Sequence, residues 1–370
     1  MRANDSKTFS AAHPEPDVEE QRYRWTPARL LIGGVLVLGT AALLGYIAVH
    51  EFELTASRFT PAASAQSGAN DRGHVSAPLE QFDTSDLRVD RSKILSGGPP
   101  KDGIPALTDP NFIDAADADF LGDESRLVSV SIEGETRAYP LNILNWHEVI
   151  NDEIADVPIA VVYCPLCDSV SVVDRRLGEK TFEFGVSGLL MNSNVLLYDR
   201  TDEALWSQAG LSAISGPHAG QSLQHLDGWA IVSYEQWKRE HPDGKVVSAD
   251  TGHHRNYRRN PYGRYFANDD TMFPVSPKDD RYPKKMRVVG VRHGDTTRAY
   301  PLKAVREAPE GRLSDVIEGD KLVLEVEPGS GNVRISQTPP DAEVLHTFWF
   351  AWYAFHPDTQ LYTADGKTHP

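Results

Sequence analysis

Cysteine occurs twice in 370 residues, and both copies fall in one stretch, Tyr163-Cys164-Pro165-Leu166-Cys167. Two thiols at this spacing, with a proline between them, admit three chemistries. A structural disulfide is allowed in an oxidising compartment, but so short a loop gains only about 2 kcal/mol by chain entropy. A dithiol–disulfide redox centre needs one thiol with a lowered pKa, which a helix N-terminus commonly supplies. Here Ser169-Val170-Ser171-Val172-Val173 follows and alternates as a strand does. A metal site would present both thiolates from a knuckle between strands. With no third cysteine, histidine must complete the ligand set: His147 first, then His356, His253, His254 and His218. Two soft thiolates with an imidazole suit copper, Cu(I) in particular, or zinc, and an incomplete set leaves a position open for transfer or catalysis.

The preferred expectation is therefore copper or zinc held by Cys164, Cys167 and His147. Two alternatives stay open. One is a thiol–disulfide oxidoreductase with Cys164 and Cys167 as its catalytic pair. The other is a non-catalytic ligand-binding or assembly module braced by a disulfide. Asn192 and Ser193 (with Asn194 beside them) could orient a ligand from a loop between strands, and are also ordinary turn formers. Trp206 offers a stacking face and Gln208 an amide, although packing explains both as well. No G-x-S-x-G, P-loop, dinucleotide fingerprint or His-Glu-x-x-His pattern occurs, so no nucleotide cofactor is expected.

The elements that must carry these residues read as mainly β, of the α+β kind, with a few short helices. Leu127-Val128-Ser129-Val130-Ser131-Ile132 alternates, Glu133-Gly134-Glu135 turns, and Thr136-Arg137-Ala138-Tyr139 returns as a hairpin. Pro140 then opens a helix-like segment, Leu141 to Ile150, that carries His147. The apolar, β-branched stretch from Val157 to Val162 reads as a buried strand. Glu183 to Arg200 reads as two strands around a polar loop, and Ser233 with Gln236 caps a short helix. The order recurs: Thr297-Arg298-Ala299-Tyr300-Pro301-Leu302 copies Thr136-Arg137-Ala138-Tyr139-Pro140-Leu141. In that register Glu327 falls on Cys164 and Ser330 on Cys167, so residues 127–172 and 287–335 look like an internal duplication. One copy of the turn has thiols and the other does not. The aromatic run Phe348-Trp349-Phe350-Ala351-Trp352-Tyr353 is expected to fill a core.

The net charge is −16 and falls entirely after residue 50, an acidic surface that excludes nucleic-acid partners. Leu30 to Val49 is free of charge and long enough to cross a hydrocarbon core of about 30 Å. Arg22, Arg24 and Arg29 crowd its upstream flank, which places the N-terminus in the cytoplasm and the body outside. The expected organisation is a disordered tail over residues 1–28, a transmembrane signal anchor over 29–50, a flexible linker over 51–78, and an extracytoplasmic β-rich domain over 79–370. The membrane is thus an expected partner through this single-pass anchor. A small-molecule or protein partner is not specified by any motif.

Several segments together resemble a known family. They are Gly98-Pro99-Pro100-Lys101-Asp102-Gly103, Arg137-Ala138-Tyr139-Pro140, Trp146-His147-Glu148, Tyr163-Cys164-Pro165-Leu166-Cys167, Ser187-Gly188-Leu189-Leu190, Tyr198-Asp199-Arg200, Leu205-Trp206-Ser207-Gln208 and Phe348-Trp349-Phe350-Ala351-Trp352. In combination they are similar to domain-of-unknown-function family 3179, over roughly residues 90 to 362. The resemblance implies the extent of the domain and the position of its site, and no activity. The family's usual residue after the second cysteine is glycine; this chain has Asp168, at a position expected to form a tight left-handed turn.

Overall fold

A computed structural model describes residues 78–210, 212–327, 331–363 and 368–369. The 1–28 tail, the 29–50 anchor and residues 51–77 of the linker lie outside them. No helix among the described residues is long and apolar enough to cross a membrane.

The described chain is mainly β, with helices of seven residues or fewer. Strands Arg126–Ile132 and Glu135–Pro140 form the expected hairpin. Helix Leu141–His147 follows, and ends three residues earlier than the sequence pattern suggested. Glu148 takes φ 59° as the helix cap, and its successors Val149–Ile154 pair with Val157–Cys164 instead of continuing the helix. The β-branched residues Val149, Ile150 and Ile154 are better accommodated on a pleated surface, which is where they sit.

The same succession recurs later in the chain. Hairpin Arg287–His293 and Thr296–Pro301 leads into helix Leu302–Glu307, then into the three-stranded meander Arg312–Ile317, Asp320–Val326 and Val333–Gln337. A polar lock accompanies each copy. Arg137 and the Tyr139 hydroxyl both donate to Asp152; Arg298 and the Tyr300 hydroxyl both donate to Asp315. In each case a buried or half-buried carboxylate is satisfied by a cation and a phenol, ties the hairpin to the following meander, and holds its own charge paired.

The thiol-bearing meander and the second hairpin belong to one nine-stranded sheet. Their junction is the strand Glu343–Phe348, which pairs with Arg287–His293 along its length but meets Ser169–Asp174 only at His346 opposite Val170. A five-stranded sheet containing Phe184–Met191, Asn194–Asp199 and Leu205–Ser207 packs its side chains against the cysteine strands. The aromatic run is the helix Trp349–Phe355, and Trp349 and Trp352 are buried in the core as expected. Gly290 on the opposing strand makes room for Trp352: a Cβ there would lie 2.1 Å from the indole. The close approach of helix to sheet at this seam therefore requires glycine.

Candidate thiol site

Cys164 ends one strand and Ser169 begins the next, paired opposite each other across the turn. The Cys167 N–H donates to the Cys164 carbonyl at 3.2 Å and closes it. Asp168 adopts φ 46°, the left-handed conformation that aspartate tolerates better than most residues with a side chain. Its carboxylate also does what glycine could not. It accepts from Arg126 Nη1 at 2.7 and 3.0 Å, from Arg287 Nε at 2.5 Å and from the Tyr163 hydroxyl at 2.9 Å. Burial would raise the pKa of Asp168, but the two guanidinium groups outweigh it and hold the carboxyl below its usual range. On the far side, the Cys167 carbonyl accepts from the Phe348 N–H and the Thr347 hydroxyl. The turn is thus clamped by both copies of the hairpin unit.

A buried amide network supports it from the second sheet. Gln208 accepts from Ser169 Oγ at 2.6 Å and Asn194 Nδ2 at 2.8 Å, and donates to the Ser169 and Val162 carbonyls. Asn192 and Ser193 form the two-residue hairpin turn between Met191 and Asn194, both with positive φ. The Ser193 carbonyl is their link to the site, 3.3 Å from Cys167 Sγ and 3.8 Å from Cys164 Sγ. The Asn192 side chain faces elsewhere, bonded to the Ala354 carbonyl and the Ser276 N–H. Trp206 donates to Asp199 and packs on Phe182 and Phe184. With Gln208 and Val162, it lines a small apolar cavity of about 30 Å³ beneath the cysteine strand.

The sulfurs are free thiols, and both are buried. They are not equivalent. Burial alone would push Cys164 up, but the Cys167 thiol and the backbone N–H groups of Val195, Cys167 and Leu166 point at its sulfur, and together they bring its pKa below the ordinary cysteine value. Cys167 goes the other way: burial and its donation to Cys164 push it well up. No helix N-terminus is involved. The strand-flanked turn supplies its own cluster of N–H donors, an arrangement that favours a thiolate on the first cysteine.

His147 takes no part in this. One ring nitrogen meets the Pro105 carbonyl at 2.7 Å and the other the Tyr257 hydroxyl at 2.7 Å, so the neutral imidazole is fully used. Burial, assisted by His253 and Arg255, pushes its pKa down to about 4 against the pull of the Pro105 carbonyl. His356 lies over Trp352, and His218 meets Phe182 edge-on. Among the described residues no three of His, Cys, Asp and Glu converge so as to hold a metal ion.

Glu148, next in sequence to His147, is the group that sequence reasoning did not single out. Its carbonyl accepts from the Tyr163 N–H, which sets the residue beside the end of the cysteine strand. The side chain is buried, and burial together with the charge of Cys164 raises its pKa well above the usual carboxyl value. Neither a cation nor a hydrogen bond offsets these two causes. A carboxyl raised by burial and by a cysteine beside it that is itself lowered is the kind of pair that active sites maintain. It has a cost in stability. Above the unfolded carboxyl value the unfolded chain releases this proton and the folded chain keeps it, so stability falls as pH rises towards the folded pKa. Glu148→Gln is accordingly expected to raise stability in urea unfolding at neutral pH and to make no difference at pH 4. An equal effect at both pH values would show that Glu148 is not held protonated.

The site is roofed by the long irregular stretch after Thr251. The Tyr265 hydroxyl donates to the Leu166 carbonyl at 2.8 Å, and Tyr265 and Val275 share a core cluster with both cysteines. A mainly β domain with a clamped, donor-lined Cys-Pro-Leu-Cys turn is the class that fold and site define. The chain belongs to the family described as Protein of unknown function (DUF3179), whose model matches residues 101–345. No curated protein and no solved structure matches it.

Proposed function

We propose that the chain is a thiol–disulfide oxidoreductase, anchored in a membrane by residues 29–50 with its β domain outside the cytoplasm. The observation that carries this reading is geometric: two free thiols share one turn, both Sγ atoms converge on the Ser193 carbonyl, and backbone N–H groups are directed at Cys164. A donor-surrounded first cysteine with a second thiol beside it suits an attacking and a resolving cysteine.

The Cys164 thiolate attacks one sulfur of a partner disulfide. A Cys164–S bond forms, the partner S–S bond breaks, and the departing thiolate takes the proton of Glu148. Cys167 then loses its proton to the Glu148 carboxylate and attacks Cys164 Sγ. The intramolecular disulfide forms, and the second partner sulfur leaves as a thiolate that water protonates. Two electrons pass from the cysteine pair to the partner disulfide, and Glu148 ends protonated as it began. Because both sulfurs lie under Tyr265, the roof must lift for exchange to occur.

Copper(I) held by the two sulfurs is the second reading. It is favoured by the convergence of both Sγ atoms near the Ser193 carbonyl, and linear two-thiolate coordination would not need His147. A site of that kind binds one equivalent of metal and loses it in Cys164→Ser.

Iodoacetamide alkylation of the full chain across pH tests the preferred reading. Cys164 is expected to react with an apparent pKa below that of an ordinary cysteine, and Cys167 to stay unreactive over the same range. A Cys164 that titrates at or above the ordinary value removes the thiolate role.

A further inference from the structure

A basic stretch lies in the roof of the thiol site. Residues 252–268 hold Arg255, Arg258, Arg259 and Arg264, with His253 and His254, and no carboxylate until Asp269 and Asp270.

The way this stretch is pinned decides where its charges point. Tyr257 is buried, its hydroxyl between His147 Nε2 at 2.7 Å and Thr251 Oγ1 at 2.6 Å. Tyr265 is buried as well, bonded to the Leu166 carbonyl of the cysteine turn. Lys285 holds the chain beyond it, donating to the Asn268 carbonyl at 2.6 Å and to the Tyr265 carbonyl. With the tyrosines turned inward, Arg258, Arg259 and Arg264 are left exposed. Arg258 meets Asp119 at 3.3 Å in a pair open to solvent on both sides. The side chains of Arg259 and Arg264 make no ion pair among the described residues. Tyr262 and Phe266, on either side of Arg264, pack against the cluster that contains both cysteines. Arg264 therefore sits on the outer side of the short helix Gly263–Phe266, whose inner side helps to cover Cys164 and Cys167.

In a chain of net charge −16 this face is not needed for solubility, which the acidic surface already supplies. Its effect is on approach. An acidic polypeptide is repelled by most of the surface and attracted here, so it meets the molecule over the thiols. Guanidinium forks match carboxylates in geometry as well as in charge.

We infer that the outer face of the roof, presented by Arg258, Arg259 and Arg264, docks an acidic polypeptide segment that carries the disulfide exchanged at Cys164. That the segment carries a disulfide rests on the redox reading; the docking does not.

Fluorescence anisotropy of labelled peptides on the full chain tests this, with serine at every cysteine position of the peptides so that no exchange takes part. A glutamate-rich peptide is expected to saturate the chain and to bind about tenfold or more tighter than a lysine-rich peptide of equal length, a gap that closes as salt is added. Arg259→Glu combined with Arg264→Glu should reverse the order of the two peptides, which loss of folding could not do. Equal binding of the two peptides, or an unreversed order in the folded double variant, would overturn the proposal. Phenylglyoxal modification of Arg259 and Arg264 should be slowed by the glutamate peptide. Slowing by phosphatidylglycerol vesicles and not by the peptide would assign the face to lipid headgroups and overturn it too. Docking that persists with no exchange once the peptide cysteines are restored would count against the redox reading alone.

Discussion

Cys164→Ser is expected to reduce disulfide exchange to the uncatalysed background, while Cys167→Ser traps the partner as a stable mixed disulfide on Cys164. The asymmetry follows from the electrostatics of the turn. Backbone N–H groups of Val195, Cys167 and Leu166 are directed at Cys164 Sγ, whereas Cys167 is pushed up by burial and by its contact with Cys164 despite the Asn194 amide, so Cys164 makes the first attack. Cys167 is needed for the second step, in which it displaces the partner from Cys164. Incubating each variant with a model disulfide such as oxidised glutathione and weighing the product by mass spectrometry reads both outcomes. The Cys167→Ser chain should gain the mass of one glutathionyl group and keep it. The Cys164→Ser chain should gain none. Adducts on both variants in equal amounts would mean that the two thiols are interchangeable.

The largest stability effect is expected from Asp168→Asn. The carboxylate is fully buried, and its removal leaves the guanidinium groups of Arg126 and Arg287 facing each other without a counter-charge. Loss of one member of a buried pair costs about 3–5 kcal/mol; Arg287 is half-exposed and can be hydrated, so about 3 kcal/mol is the better figure here. The pH dependence has a definite sign. A carboxyl whose folded pKa lies below its unfolded value stabilises the fold above the unfolded value, and that contribution fades as pH falls through the folded one. Urea unfolding of wild type and Asp168→Asn should therefore differ most at neutral pH and converge in strong acid. A gap that persists undiminished in acid would show that the carboxylate charge is not what the clamp uses.

Much of this architecture could be read before any coordinates. Period-two alternation placed the first hairpin and proline at a helix start the short helix after it, while the repeated Thr-Arg-Ala-Tyr-Pro-Leu segment placed the second unit. The thiol turn between strands was equally legible, since two cysteines in 370 residues leave no choice of partner. The assignment of ring and carboxyl neighbours was not. His147 precedes the cysteine strand closely in sequence, but the direction of its imidazole depends on Pro105 and Tyr257, which approach from remote segments. Glu148 is marked in the sequence only as part of the family-like segment Trp146-His147-Glu148, with nothing that singles it out as an acid of the site. Its role comes from a left-handed helix cap and from burial, and a protonated buried acid looks in sequence like any surface glutamate. Asn194, rather than Asn192, reaches the turn, because Asn194 opens the returning strand opposite Met191 while Asn192 sits in the two-residue turn and bonds the Ala354 carbonyl and the Ser276 N–H.

The recurring hairpin–helix–meander succession has a physical consequence for the site. The polar lock is the same in both copies, Arg137–Tyr139–Asp152 and Arg298–Tyr300–Asp315. The residue in register with Cys164 is Glu327, which pairs with Gln236 and Arg334. One meander thus carries thiols at its turn, while the second hairpin contributes Arg287 to the clamp that holds them.

A redox titration of the full chain in defined dithiothreitol and glutathione buffers, with the Cys164–Cys167 state read by thiol-labelling mass shift, decides whether the turn is a redox centre. A single two-electron transition is predicted, with a midpoint above about −300 mV, the region of exchangeable rather than structural disulfides. A pair that stays bridged in excess dithiothreitol, or one that stays reduced in fully oxidised glutathione, would contradict it.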